Sequence, residues 1–253
     1  MGYQEWDNND QSIRSDERGM ASEAYRDDNY RFKKCNFERE PKFIVDIGCN
    51  TGWFAKLASD GYPESIVLAY EIEESNYLRA RERLKGHENI QVHHMAVIGE
   101  NRAASLAKST TSIGGHKALF ENNDSYVSEK RFSADADTEQ IRDLPEQISV
   151  KEIIEQNNID FIDFLKMDCE GGEHELLPHI FKHDIDKKIL NFALEFHGTS
   201  QPEWQKIQEE LEKRFDEFVI PERETRPFRP GVSVSVYPNC KIIICKNHLN
   251  NKE

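Results

Sequence analysis

Val45-Asp46-Ile47-Gly48-Cys49-Asn50-Thr51-Gly52-Trp53 is the stretch that decides the fold. The apolar run Phe43-Ile44-Val45 leads into a carboxylate and a glycine turn, and apolar residues then recur at Phe54 and Leu57 with helical spacing. That order is strand, tight loop, helix. Glycine is needed where backbone curves sharply or lets a ligand approach the main chain.

Downstream, Ile66-Val67-Leu68-Ala69-Tyr70 reads as a second buried strand, residues 74–84 as a helix closed by Gly86, and Ile90-Gln91-Val92 as the start of a third strand. Strands buried on both faces and alternating with helices predict an α/β fold with a mostly parallel, Rossmann-like sheet and right-handed crossovers. Residues 159–167, 172–180, 189–196 and 204–215 continue the alternation. Residues 232–237 and 240–245, joined at Pro238-Asn239, predict a C-terminal antiparallel hairpin. Residues 41–253 thus form one domain, with a polar insertion at about 98–148 that has room for a hairpin. Residues 1–40 are a polar N-terminal extension, either a mobile tail or a thin helical cover, with Trp6, Tyr25, Tyr30 and Phe32 as scattered anchors.

Composition narrows the partners. With 47 acidic against 33 basic residues the net charge is -14, and no long basic run suits a phosphate backbone, so nucleic acid is not expected as a partner. No apolar run approaches the roughly 20 residues of a bilayer span, so no membrane association is expected. Five cysteines, Cys35, Cys49, Cys169, Cys240 and Cys245, show no C-x-x-C spacing, which predicts a reducing, cytoplasmic setting without a disulfide framework or zinc site.

The glycine loop also bears on the cofactor. A dinucleotide fingerprint, G-x-G-x-x-G, would place its middle glycine where Asn50 stands. Asp46 beside the turn would repel a pyrophosphate. S-adenosylmethionine carries an ammonium and a sulfonium and no phosphate, so it tolerates that carboxylate. Glu71, closing the second strand, is placed to accept both ribose hydroxyl protons. Gly48, Asn50, Thr51, Gly52, Trp53 and Ile72 complete the expected cofactor set, with Met95 and Ala96, just past the third strand, as apolar contacts for an adenine. Two roles are open for Asp46, ligand contact or capping of the loop amides; core packing is equally open for Met95 and Ala96.

In open α/β sheets, ligands lie beyond the carboxyl ends of the strands. One later strand ends Leu165-Lys166-Met167-Asp168-Cys169-Glu170-Gly171-Gly172-Glu173-His174, and the next ends Leu194-Glu195-Phe196-His197. Glu195 and His197, two apart, point to the same side, so Asp168, Glu195 and His197 are expected to converge as catalytic residues. Asp168 is either the base or the group that orients His197 as base; alternatively Asp168 and Glu195 hold a Mg²⁺. Glu173 is read as a helix cap, and Glu170 is open to the same role.

These strings, VDIGCNTGWFA, AYEIE, MAV and FIDFLKMDCEGGEHELL, resemble the FkbM-type methyltransferases over about residues 42–198, the K-x-D-x-E-G-x-E string being the specific part. The resemblance implies a class I methyltransferase fold, S-adenosylmethionine as donor, and commonly O-methylation of a hydroxyl on a sugar, glycan or secondary metabolite. It also implies a small-residue segment over the site at residues 112–116. Ile72 replaces the family's usual proline, and residues 1–40 and the Arg-rich loop 221–231 have no counterpart. Arg223, Arg226 and Arg229 in that loop either bind an anionic acceptor or are simply solvated. The alternatives to a methyltransferase are an NAD(P)-dependent oxidoreductase on a similar fold and a noncatalytic cofactor-binding module.

Overall fold

The computed structural model describes residues 13–101, 103–109, 117–120, 138–197, 201–221 and 240–249. The glycine stretch forms strand β1 (Phe43–Ile47), a loop, and helix α2 (Trp53–Gly61); α1 (Arg18–Tyr25) precedes them. Then follow β2 (Ile66–Glu71), α3 (Glu74–Arg83), β3 (Ile90–Ile98), β4 (Ala103–Ser109), β5 (Lys117–Phe120), β6 (Thr138–Ile141), β7 (Glu146–Ser149) and α4 (Val150–Gln156). The chain continues through β8 (Phe164–Met167), α5 (Glu173–Lys182), β9 (Asn191–His197), α6 (Gln201–Arg214), β10 (Glu217–Val219) and β11 (Cys240–Lys246).

Eight strands form the main sheet in the order β10-β11-β9-β8-β1-β2-β3-β7. The strands from β9 to β7 run parallel, and β11 is antiparallel to both β9 and β10. This is the mostly parallel sheet with an antiparallel C-terminal edge that the sequence predicts. Residues 232–237, the first arm of the expected hairpin, lie outside the described residues, as do residues 112–116 and Arg223, Arg226 and Arg229.

Alternation along the central strands builds a core on each face. Val45, Leu68, Leu165 and Leu194 pack with Ile153 of α4, Leu176 and Ile180 of α5 and Leu211 of α6. Ile44, Val67, Phe164 and Ala193 face α2 and α3. On that second face the segment around α1 is part of the core: the Phe32 ring lies edge-on to Phe54, Tyr62 and Phe164 at centroid distances of 5.3, 5.8 and 4.9 Å. Such aromatic pairs add stabilisation beyond area burial.

Three features depart from the sequence expectation. Strand β3 extends to Ile98, so Met95 and Ala96 lie within it rather than past its end. The insertion holds a second, three-stranded antiparallel sheet in the order β5-β4-β6. It then returns β7 to the main sheet, parallel to β3, where Ser149 and Glu152 form a capping box that starts α4.

The β1–α2 loop is pressed against the end of β8. Gly48 has φ +74°, and a Cβ there would lie 1.8 Å from the Asp168 carbonyl oxygen. Gly19, within α1, has nothing within 4 Å of the same position. Gly48→Ala is expected to lower unfolding free energy by at least about 3 kcal/mol, whereas Gly19→Ala should raise it by about 0.5–1 kcal/mol; urea denaturation of both variants reads the contrast.

Candidate active site

The loop is held from three sides. From β8, the buried Lys166 places Nζ 2.6 Å from the Gly48 carbonyl and 3.1 Å from Asp46 Oδ1, with Asp168 Oδ2 at 3.9 Å. Burial alone would lower the Lys166 pKa, but the Asp46 and Asp168 charges outweigh it and push it up. From β2, Glu71 accepts hydrogen bonds from the Asn50 and Glu73 amides at 2.7 and 2.8 Å. From α3, Arg83 donates to the Thr51 carbonyl, pairs with the buried Glu17, and lies over the Trp53 ring. Asn50 itself has φ +49° and takes the Thr51 amide on its side chain at 2.7 Å.

Glu71 is the group best placed to receive a cofactor ribose. Burial pushes its pKa up to about 7, against the two amide bonds that lower it. Each oxygen spends one lone pair on an amide and retains another for a ribose hydroxyl. Both cations that touch the loop are committed, Lys166 to Asp46 and the Gly48 carbonyl and Arg83 to Glu17 and the Thr51 carbonyl, an arrangement that suits a cationic donor better than a pyrophosphate.

Several expected cofactor residues also make contacts within the chain. Asp46 is fully buried and is the counter-ion of Lys166, with the Ala55 amide also acting on its carboxylate. The Trp53 ring is engaged by Arg83, at 4.0 Å, and edge-on by Tyr25, at 6.1 Å. Ala96 is buried in a small cluster with Ile98, Ala103 and the partly buried Ile72, while Met95 packs against the opposite core. Thr51 is fully buried, and its hydroxyl has no hydrogen-bond partner among the described residues.

At the neighbouring strand ends, Asp168, Glu195 and His197 converge. His197 Nε2 lies 3.9 Å from Asp168 Oδ1, 3.9 Å from Glu195 Oε1 and 3.6 Å from Glu170 Oε2. Its Nδ1 is 3.2 Å from Oε1 of the fully buried Glu173. Glu173 also accepts the Cys169 and Gly171 amides at 3.0 and 2.8 Å, so from the first turn of α5 it ties down the preceding loop rather than capping the helix, and it orients the imidazole as well. Burial would raise the Glu173 pKa, but His197 and the Cys169 amide bring it below the ordinary carboxylate value.

Sequence reasoning missed Tyr30 and Lys166. The Tyr30 hydroxyl donates to Asp168 Oδ2 at 2.6 Å and lies 3.3 Å from Glu195 Oε2. It bridges the two carboxylates that one alternative gave to a Mg²⁺. Asp168, Glu170 and His197 each offer a ligand atom within 4.8 Å of the others. For Lys166 a signal exists: it is a lone lysine in an otherwise apolar strand. Tyr30 reaches Asp168 across 138 residues, beyond any local pattern.

A match to the family model for the methyltransferase FkbM domain covers residues 46–219. The chain belongs to the FkbM methyltransferase family. It is therefore an S-adenosylmethionine-dependent methyltransferase, and the oxidoreductase and noncatalytic alternatives fall away. No curated protein matches it. Among solved structures, the methyltransferase FkbM from Methylobacillus flagellatus KT is 18% identical, with a TM-score of 0.40, and the match covers 69% of this chain but 36% of that one. The precorrin-6y C5,15-methyltransferase from Geobacter metallireducens GS-15 is 12% identical, with a TM-score of 0.47, over 88% of this chain and 87% of that one. The N-terminal domain of human METTL16 in complex with SAH is 12% identical, with a TM-score of 0.39, over 90% and 67%. Among the described residues no helix is long and apolar enough to cross a membrane.

Replacing Lys166 by Met would leave Asp46 buried without its counter-ion. This is expected to cost about 3–5 kcal/mol in urea denaturation, and adding Asp46→Leu should recover much of the loss, because removing both charges of a buried pair costs far less than removing one.

Proposed function

We propose that this FkbM-family protein transfers a methyl group to a hydroxyl of a sugar, glycan or secondary metabolite, with His197 as general base. The observation that carries this proposal is the Glu173–His197 pair, which aims Nε2 at Asp168, Glu170 and Glu195. S-adenosylmethionine supplies an electrophilic methyl on a sulfonium; the chain supplies orientation and removal of one proton.

Glu71 binds the ribose, and the Gly48–Trp53 loop, with Ile72 beside it, fixes the position of the donor. His197, with Nδ1 held by Glu173, takes the acceptor proton on Nε2. Asp168, Glu170 and Glu195 accept hydrogen bonds from neighbouring hydroxyls of the acceptor, and Asp168 and Glu195 stabilise the imidazolium that forms. A polyol fits this set because it offers several donors, whereas an anionic acceptor would be repelled by three carboxylates. The Tyr30 hydroxyl already bonds to Asp168 as an acceptor hydroxyl would. A divalent ion on Asp168 and Glu170 is the second reading, favoured by their closeness, although His197, the third member of that group, is a poor ligand for Mg²⁺.

The test is S-adenosylhomocysteine release over a panel of polyol, phenol, amine and carboxylate acceptors. A hydroxyl acceptor should be turned over, and His197→Asn should then lower kcat by about 10²–10⁴-fold with S-adenosylhomocysteine affinity within a few fold of wild type. Turnover of amines alone refutes the acceptor class, retention of activity in His197→Asn refutes the base, and loss of activity with EDTA that Mg²⁺ alone restores favours the metal-assisted reading. Because a ribose favours ionised Glu71, whose pKa stands at about 7, S-adenosylhomocysteine affinity should rise between about pH 6 and 8. Titration calorimetry should show that slope flattened in Glu71→Gln.

A further inference from the structure

Away from the acidic edge, a second group of ligand-bearing side chains gathers on α5. His179 and His183 are four residues apart on a helix and so share a face. Glu100, from the loop after β3, reaches both: its Oε1 lies 2.8 Å from His179 Nδ1 and 2.7 Å from His183 Nε2. The other oxygen takes a hydrogen bond from Lys182 at 2.6 Å, which leaves Oε1 as the atom shared by the two rings. One ligand atom from each of the three residues lies within 4.8 Å of the others.

The carboxylate arrives on a pinned backbone. A Cβ on Gly99 would lie 2.3 Å from the Glu175 carbonyl oxygen, so the loop runs directly against α5. The Glu175 side chain accepts the Glu100 and Asn101 amides at 3.1 and 2.8 Å, and the Asn101 side-chain amide at 3.0 Å. One ring is buried, while the His183 and Glu100 side chains are 30% and 40% exposed, which leaves an approach from solvent.

We infer that Glu100, His179 and His183 form a binding site for a zinc-class divalent cation, with water as the fourth ligand. Two imidazoles and one carboxylate are a donor set for Zn²⁺ and related transition ions, not for Mg²⁺ or Ca²⁺, which take oxygen ligands. The ion would take the place of the protons now shared between the rings and Oε1, and Lys182 would remain on the outer oxygen. It would brace the β3–β4 connection against α5. That connection leads into the insertion sheet, where Leu106 and Ile141 line a cleft of about 200 Å³ with Ile72 and His94. The site therefore steadies one wall of that cleft and does no chemistry itself.

The experiment uses the full chain without a histidine tag. Zn²⁺ binding is measured by competition with a chromophoric chelator, Co²⁺ binding by its visible spectrum, and folding of each variant by circular dichroism. Wild type should bind one Zn²⁺ with nitrogen and oxygen ligation in the Co²⁺ spectrum. Glu100→Gln and His183→Gln, both at exposed positions, should each weaken binding by at least about tenfold, while Asp168→Asn leaves it unchanged. Absence of Zn²⁺ binding would overturn the inference and leave a plain hydrogen-bonded latch. Binding lost in Asp168→Asn but kept in His183→Gln would move the ion to the acidic edge, and a thiolate charge-transfer band would move it to cysteine; either result overturns the assignment.

Discussion

The Lys166 ammonium sits where three parts of the chain meet: the Asp46 carboxylate at the end of β1, the Gly48 carbonyl in the turn, and Asp168 at the end of its own strand. A buried ion pair is weak evidence for net stability, because desolvation consumes most of the attraction. What it gives here is position. The same ammonium that neutralises Asp46 grips the carbonyl of the residue whose Cβ would strike Asp168. The glycine loop and the end of β8 are therefore placed relative to one another by one side chain.

The charge balance of that edge follows from the same arrangement. Glu71, Asp168, Glu170, Glu173 and Glu195 surround it, and Lys166 is already paired. On the proposed reading, such an edge would favour a cationic donor and hydroxyl-bearing partners over phosphates and carboxylates. Each carboxylate is held in a different way: Glu71 by two amides, Glu173 by two amides and an imidazole, Asp168 by the Tyr30 hydroxyl. Carboxylates so fixed can differ in protonation and duty within a few ångströms.

Much of this was legible in the sequence because it is written at short range. The apolar runs of β1 and β2, the glycine turn and the carboxylate closing β2 are local patterns, and the two-residue spacing of Glu195 and His197 is enough to put them on one side. The partners across the molecule were not legible. Tyr30 lies in a segment whose polar composition hides four aromatic residues that pack into the core, Tyr25, Tyr30, Phe32 and Phe37. Asp46 was open to two readings, ligand contact or capping of the loop amides, and only the neighbouring strand shows that Lys166 pairs with it. Met95 and Ala96 were placed past β3 because its mixed composition, with two histidines in a row, breaks the apolar run before the strand ends. Glu173 was read as a helix cap, but its bonds go to the preceding loop and to His197, and the latter depends on how β8 and β9 pair.

The central claim is that the donor lies across the ends of β1 and β2 on a loop fixed from behind by Lys166. A crystal structure with S-adenosylhomocysteine tests it most directly. The account predicts both ribose hydroxyls on Glu71, the sulfur facing the Asp168–His197 edge, and Lys166 still bonded to Asp46 and the Gly48 carbonyl. A ligand seated elsewhere, or Lys166 swung out to bind it, would contradict the account.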